Sequence, residues 1–125
     1  MIFDSDILIW HFRGNELATR LLSASVPFSI SVVTYMELMQ GALDKTDMSR
    51  MQKFLRITGT TILPITEDIS FHAMHCVESY TLSHSMELAD ALIAATALEN
   101  RETLYTANDK HYKCIPELSY HVFRP

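Results

Sequence analysis

Glycine, proline and cysteine are scarce in this chain, which holds three, four and two of them among 125 residues. With so few breakers, and no repeat, linker or low-complexity segment, a disordered chain is excluded. The two cysteines, Cys76 and Cys114, form no closely spaced metal or redox motif and read as free packed thiols. No apolar run approaches the roughly 20 residues needed to span a bilayer. The N-terminus opens directly on Ile2-Phe3-Asp4, with no basic stretch ahead of an apolar segment. A cytoplasmic protein with no membrane attachment is the expectation. Cationic excess is lacking too. The formal charge of −5 argues against a general nucleic-acid coat protein.

What is present is apolar. Hydrophobic residues make up 48% of the chain, enough for a real core, and the length suits one compact domain over residues 1–125. Acids sit inside or beside those apolar runs: Asp4 in Ile2-Phe3-Asp4-Ser5-Asp6, Glu37 in Tyr35-Met36-Glu37-Leu38, Asp90 in Leu88-Ala89-Asp90-Ala91-Leu92, and Asp109 after Leu104-Tyr105-Thr106-Ala107-Asn108. A carboxylate among residues that favour burial is costly unless something pairs with it. No Lys or Arg lies within four residues of Asp90. Acids that are separate in sequence but converge in space would form a hard, oxygen-rich site for Mg²⁺ or Mn²⁺. Such a site would account for part of the negative charge, which a bound metal would neutralise locally. A nuclease therefore stays open. Arg13, Arg20, Lys110, His111, Lys113 and Arg124 read first as ordinary surface charge, with a basic rim as the alternative.

Periodicity and breakers divide the chain into alternating strands and helices. Short strands are expected at Ile2-Phe3, Phe28-Ser29-Ile30, Thr61-Ile62-Leu63, Thr103-Leu104-Tyr105 and, as a fifth, Tyr120–Phe123. Helices are expected over 6–12, 16–24, a segment capped by Ser31 or Thr34 and ending near Gly41, 46–57, a segment capped by Thr66, and 86–99. This alternation predicts an α/β fold: a central, mainly parallel sheet of four to five strands flanked by helices on both sides. Sites in such sheets form beyond the carboxyl ends of the strands. Asp4, Glu37, Asp90 and Asn108-Asp109 would all arrive at that edge.

Each acid also has a plainer reading. Asp4 can be a turn or cap residue. Asp6 can support the site or simply serve as the first-turn acid of the next helix. Thr34-x-x-Glu37 matches a capping box. Asp90 can interact with a helix dipole, but under about 1 kcal/mol from that source would not offset a buried naked charge. Asn108 and Asp109 are both suited to an Asx turn, and spacing does not choose between them as a site residue. Thr106 can hold a neighbouring carboxylate by hydrogen bonding. His72, His75 and Cys76 suggest zinc, but helical spacing puts the histidines on the polar side and the cysteine on the apolar one, so zinc is disfavoured.

These segments resemble the PIN-domain ribonucleases, and most closely the VapC toxins of bacterial toxin–antitoxin pairs. Residues 2–9 are similar to the family's opening strand with its first acid. Residues 31–41 match the segment that carries the second, 88–97 the third, and 104–112 the final motif. The similarity covers essentially the whole chain. Ser5-Asp6 replaces the commoner Thr-Asn pair, and the family's fourth acidic position falls on Asn108. The resemblance implies a PIN-like three-layer sandwich and metal-dependent hydrolysis of an RNA phosphodiester. Asp4 and Asp90 would hold Mg²⁺ or Mn²⁺, with Glu37 ligating directly or through water and Asn108 or Asp109 completing the site. It further implies a structured RNA such as tRNA as substrate, a homodimer, and inhibition by a cognate VapB-like antitoxin. Apolar residues near Trp10, Phe12 and the 46–57 helix could serve such contacts. Two alternatives remain: a haloacid-dehalogenase-like phosphatase with Asp4 as nucleophile and Asp6 as acid/base, and a PIN-type binding module without catalysis.

Overall fold

A computed structural model describes residues 1–125. Its elements run β1 (Ile2–Phe3), α1 (Ser5–Phe12), α2 (Glu16–Ala24), β2 (Ser29–Ser31), α3 (Val32–Gln40), α4 (Lys45–Ile57), β3 (Thr61–Leu63), α5 (Glu67–His84), α6 (Leu88–Glu99), β4 (Leu104–Thr106) and β5 (Tyr120–Val122). The five strands form one sheet in the order β3-β2-β1-β4-β5, and every pairing is parallel. The α/β sandwich and the order of elements match expectation. The sheet is wholly parallel, and the expected strand and helix ends shift by a residue or two.

The two residues of β1 show how the layers arise. Adjacent strand residues point to opposite faces. Ile2 joins a core with Ile69, Ala73, Cys76, Ile93 and Leu104, beneath α5 and α6. Phe3 joins the other core with Ile7, Leu22, Ile30, Leu38 and Met51, beneath α1 to α4. Both are fully buried. A strand apolar on both faces must be central, and β1 is the middle strand. The alanines of α6 at 91, 94, 95 and 97 let that helix lie close to the sheet, and all four are buried.

Polar side chains set the helix starts. Asp4 accepts from Ser5 N–H, Asn15 from Ala18 N–H, Ser31 from Val33 N–H, Asp44 from Asp47 N–H and Thr66 from Ile69 N–H. Ser31, not Thr34, caps α3. Thr34 lies inside the helix, buried, with its hydroxyl unpartnered, so the Thr34–Glu37 capping box, the plainer alternative for Glu37, does not form. β2 ends at Ser31 and the helix begins on the next residue, which leaves no turn for a later cap. Helix α6 starts at Leu88 rather than 86, because Met86 is drawn into the core ahead of it. Gly14 turns the chain between α1 and α2 at φ +91°, a conformation that favours glycine.

The chain leaves β1 to build one side of the sheet, then crosses by α5 and α6 to build the other with β4 and β5. The carboxyl ends of β1 and β4 therefore flank the point where strand order reverses, and a crevice opens there. Asp4 follows β1 and Thr106 ends β4. No helix is long and apolar enough to cross a membrane.

Candidate active site

Asp4 is the hub of a carboxylate network held together by hydroxyl groups. It is buried, at 8% exposure, and both of its oxygens are hydrogen-bonded. Oδ1 accepts from Ser5 N–H at 2.8 Å. Oδ2 accepts from the Tyr112 hydroxyl at 2.9 Å and lies 3.0 Å from the Thr106 hydroxyl.

Each hydroxyl stands between Asp4 and another acid. Ser5 Oγ is 3.3 Å from Asp4 Oδ1 and 3.0 Å from Glu37 Oε1. Thr106 Oγ1 lies between Asp4 Oδ2 and Asp6 Oδ2, the latter at 3.2 Å. Tyr112 Oη lies between Asp4 Oδ2 and Asp90 Oδ1, the latter at 3.4 Å. A hydroxyl carries a single proton, so each can serve one carboxylate at a time. Asp4, Asp6, Glu37 and Asp90 are thus gathered from the end of β1, α1, α3 and α6 around three hydroxyl oxygens.

The remaining contacts fix where each acid points. Asp6 Oδ2 also accepts from Ala107 N–H at 3.0 Å, tying α1 to the loop after β4. Asp6 Oδ1 is buried without a partner. Asp90, half-buried in the first turn of α6, accepts from Glu87 N–H at 3.3 Å through Oδ2. The helix-terminus reading of Asp90 therefore describes one oxygen, and the network describes the other. Asn108 behaves differently. Its side-chain oxygen accepts from Lys110 N–H at 3.1 Å in an Asx turn, and only its backbone meets Thr106. Its side chain joins none of the acids. The half-buried Asp109 uses its backbone carbonyl to receive Tyr112 and Lys113 N–H groups, while its carboxylate makes no hydrogen bond or ion pair.

No base neutralises these acids. The ion pairs of the protein join Glu102 to the N-terminal amine, Asp47 to Arg50, and Glu99 to His72, all away from the network. Burial, together with the charge of Asp6, pushes the Asp4 carboxyl up to about 7, against the opposing hydrogen bonds from Tyr112, Thr106 and Ser5. Burial likewise raises Asp6, opposed by the Ala107 and Thr106 hydrogen bonds. Tyr112 is held well above the ordinary phenol value by burial and then by the charges of Asp4 and Asp90, so it remains a donor.

This donor set suits a hard divalent cation. Every donor is oxygen, most are carboxylate, and one buried carboxylate oxygen has no partner. A positive charge there would reverse the penalty that raises Asp4 and Asp6. No three His, Cys, Asp or Glu side chains are already gathered closely enough to hold a metal ion. Coordination by three of the acids therefore requires at least one carboxylate to draw closer than it stands.

Ser5 and Tyr112 escaped the sequence reading as members of the site. A serine beside an aspartate reads as a turn, and Tyr112 lies in a run of turns with no periodicity to place it. Thr106 does hold a neighbouring carboxylate. His72 pairs with Glu99 at 2.9 Å, Cys76 is buried in the core, and no zinc set forms there.

Beside the network runs a cleft of about 270 Å³ between α1, α3 and α4. Glu37 lies at its edge. Ile9, Phe12, Leu38, Leu43 and Met51 supply apolar lining, and Arg13 and Arg50 supply positive charge. Arg50 is partly engaged, by Asp47 and over the Phe12 ring at 5.3 Å. On the other side of the acids, Arg124 approaches the carbonyl of Ala107 at 3.5 Å, and Lys110 is exposed next to Asn108.

Comparison with known proteins fits this geometry. The family model described as "PIN domain" matches residues 1–117. The chain is 34% identical over 122 residues to Ribonuclease VapC10 of Mycobacterium tuberculosis, covering 94% of this chain and 90% of that protein. It is 28% identical over 122 residues to Ribonuclease VapC19 of the same organism, covering 94% and 95%. Among solved structures, a chain of a toxin-antitoxin complex from Klebsiella pneumoniae superposes with a TM-score of 0.82 at 32% identity, covering 99% of this chain and 98% of that one.

Proposed function

The chain belongs to the PIN-domain family, with the VapC ribonucleases as its relatives, and from that premise we propose that it is the endoribonuclease toxin of a toxin–antitoxin pair, dependent on Mg²⁺ or Mn²⁺. The observation that carries this reading is the gathering of Asp4, Asp6, Glu37 and Asp90 around shared hydroxyls with no basic partner. The family match removes the phosphatase alternative, which would need Asp4 in a different fold family.

In this reading Asp4 and Asp90 hold the cation and Glu37 holds it directly or through water. When bound, a divalent ion lowers the pKa of water and stabilises charge on phosphoryl oxygens. Ser5, Thr106 and Tyr112 orient the carboxylates. Arg13, Lys110 and Arg124 flank the acids and attract the RNA backbone. Asp109, whose carboxylate is unengaged, serves as the fourth acid better than Asn108. A folded RNA such as tRNA is the proposed substrate class.

The antitoxin is proposed to lie along the cleft beside Glu37, where apolar lining and acids adjoin. A homodimer is proposed through α5 and α6, where Phe71, Met74 and Leu88 are exposed beside an apolar groove. Both cysteines are free, which suits the reducing cytoplasm as the working compartment.

The test uses purified protein, Asp4→Ala and Asp90→Ala on a pool of cellular RNA, with Mg²⁺, Mn²⁺ or chelator. Each substitution is expected to lower cleavage by more than about a hundredfold, with the circular dichroism spectrum retained. Cleavage that survives both changes, or that persists in chelator, contradicts the mechanism. RNA binding by wild-type protein without cleavage selects the non-catalytic module instead. A growth defect relieved by co-expression of an adjacent gene's product tests the toxin role separately.

A further inference from the structure

Tyr112 is the one hydroxyl of the network supplied by neither a strand nor a helix. It sits in the turns that follow β4, with its N–H on the Asp109 carbonyl and its own carbonyl receiving Ile115 N–H. Its ring is nevertheless fixed. At 1% exposure it is the largest fully buried side chain of the protein, packed in the core beneath α5 and α6. Only the hydroxyl leaves that core, and it reaches Asp4 Oδ2 at 2.9 Å and Asp90 Oδ1 at 3.4 Å.

We propose that Tyr112 is a positioning residue that sets the span between Asp4 and Asp90 for a divalent cation. The inference rests on the reading that these two acids hold the ion. Asp4 follows β1 and Asp90 lies on α6, and no other side chain hydrogen-bonds to both. With the phenol in place, Asp4 Oδ2 is held by a fixed donor that also lies within reach of Asp90 Oδ1, so the pair is placed before the ion arrives. Without it, Asp90 retains only the long contact to Glu87 N–H, and its side chain must be ordered by the ion itself. Preorganising ligands in this way strengthens binding because less ordering remains to be done. Phenylalanine would fill the same volume in the core, so the hydroxyl, not the ring, carries the role.

The experiment compares wild-type protein and Tyr112→Phe for Mn²⁺ binding without RNA, by electron paramagnetic resonance titration. The same two proteins are then assayed for cleavage across a range of Mn²⁺ concentrations. Tyr112→Phe is expected to weaken Mn²⁺ binding by about 10–100-fold, as loss of outer hydrogen-bonding partners does at metal sites. Cleavage at saturating Mn²⁺ is expected to recover to within about threefold of wild type, because the ligands themselves remain. In an Asp4→Asn background the Tyr112→Phe change is expected to add no further loss of binding. Equal Mn²⁺ affinity in wild type and Tyr112→Phe overturns the inference. Wild-type protein that binds no Mn²⁺ overturns the underlying cation reading instead. Should Tyr112→Phe fail to fold, the tyrosine ultraviolet difference spectrum of wild type on adding Mn²⁺ decides: a perturbation is expected, and its absence overturns the proposal.

Discussion

Helices α1 and α4 begin alike and end in opposite electrostatic states. Each follows an aspartate cap, Asp4 or Asp44, and each has a second acid in its first turn, Asp6 or Asp47. At α4 the charge is settled locally. Arg50 reaches Asp47 at 2.7 Å from the next turn and Leu43 N–H donates to it at 3.0 Å, which holds that carboxyl below its usual range. At α1 the caps and backbone donors are present but the cation is not. Burial pushes both Asp4 and Asp6 upward, and the charge of Asp6 adds to the rise at Asp4. The same residue type in the first turn of a helix therefore reports on its surroundings. An acid with its own arginine is complete within the fold, whereas acids sharing only hydroxyls call for positive charge from outside.

The largest effect should separate the two helix starts in catalysis. Asp47→Asn, run beside the Asp4 substitution, is expected to leave RNA cleavage within about twofold of wild type, because its pair is on the surface. A loss comparable to that of Asp4→Ala would erase the distinction.

Stability against pH comes next. Asp4 titrates near 7 when folded and near 3.8 when unfolded. Between those values the folded chain keeps a proton that the unfolded chain releases. Stability from this group is therefore present at low pH and declines as pH rises toward about 7, with the full penalty felt above it. Asp47 has the opposite sign, contributing above its unfolded value and losing that contribution as pH falls through its depressed one. Denaturant melts in chelator at mildly acid and mildly alkaline pH are expected to show Asp4→Asn more stable than wild type on the alkaline side, by on the order of a few kcal/mol, with the gap closing on acidification. A gap that is constant with pH would contradict the raised Asp4 value. The smallest effect belongs to Asn108→Ala. Its side chain is spent on Lys110 N–H, so cleavage is expected to fall by less than about tenfold.

How much of this was legible in the sequence depends on the distance over which each feature is decided. Asp4 could be placed because two apolar residues and a polar pair mark a strand end within five positions. Asp90 could be singled out because it is the one ionisable residue between Leu88 and Leu98. The competing plain readings proved to be partial truths: Asp4 does cap α1, and Asp90 does bond to its helix start. What could not be read are relationships that only the fold creates. Ser5 meets Glu37 across 32 positions, and Tyr112 meets Asp4 across 108. The plainer capping-box reading of Thr34 and Glu37 fails because it is a local pattern, and β2 ends three residues before Thr34.

The central claim is that acids unpaired at the β1–β4 crevice bind a divalent cation. Crystals grown with Mn²⁺ and measured for anomalous scattering test it most directly. A peak is expected among Asp4, Asp90 and Glu37, absent from Asp4→Asn crystals. A strong peak elsewhere, such as at His72 and Glu99, with none beside Asp4 would contradict it.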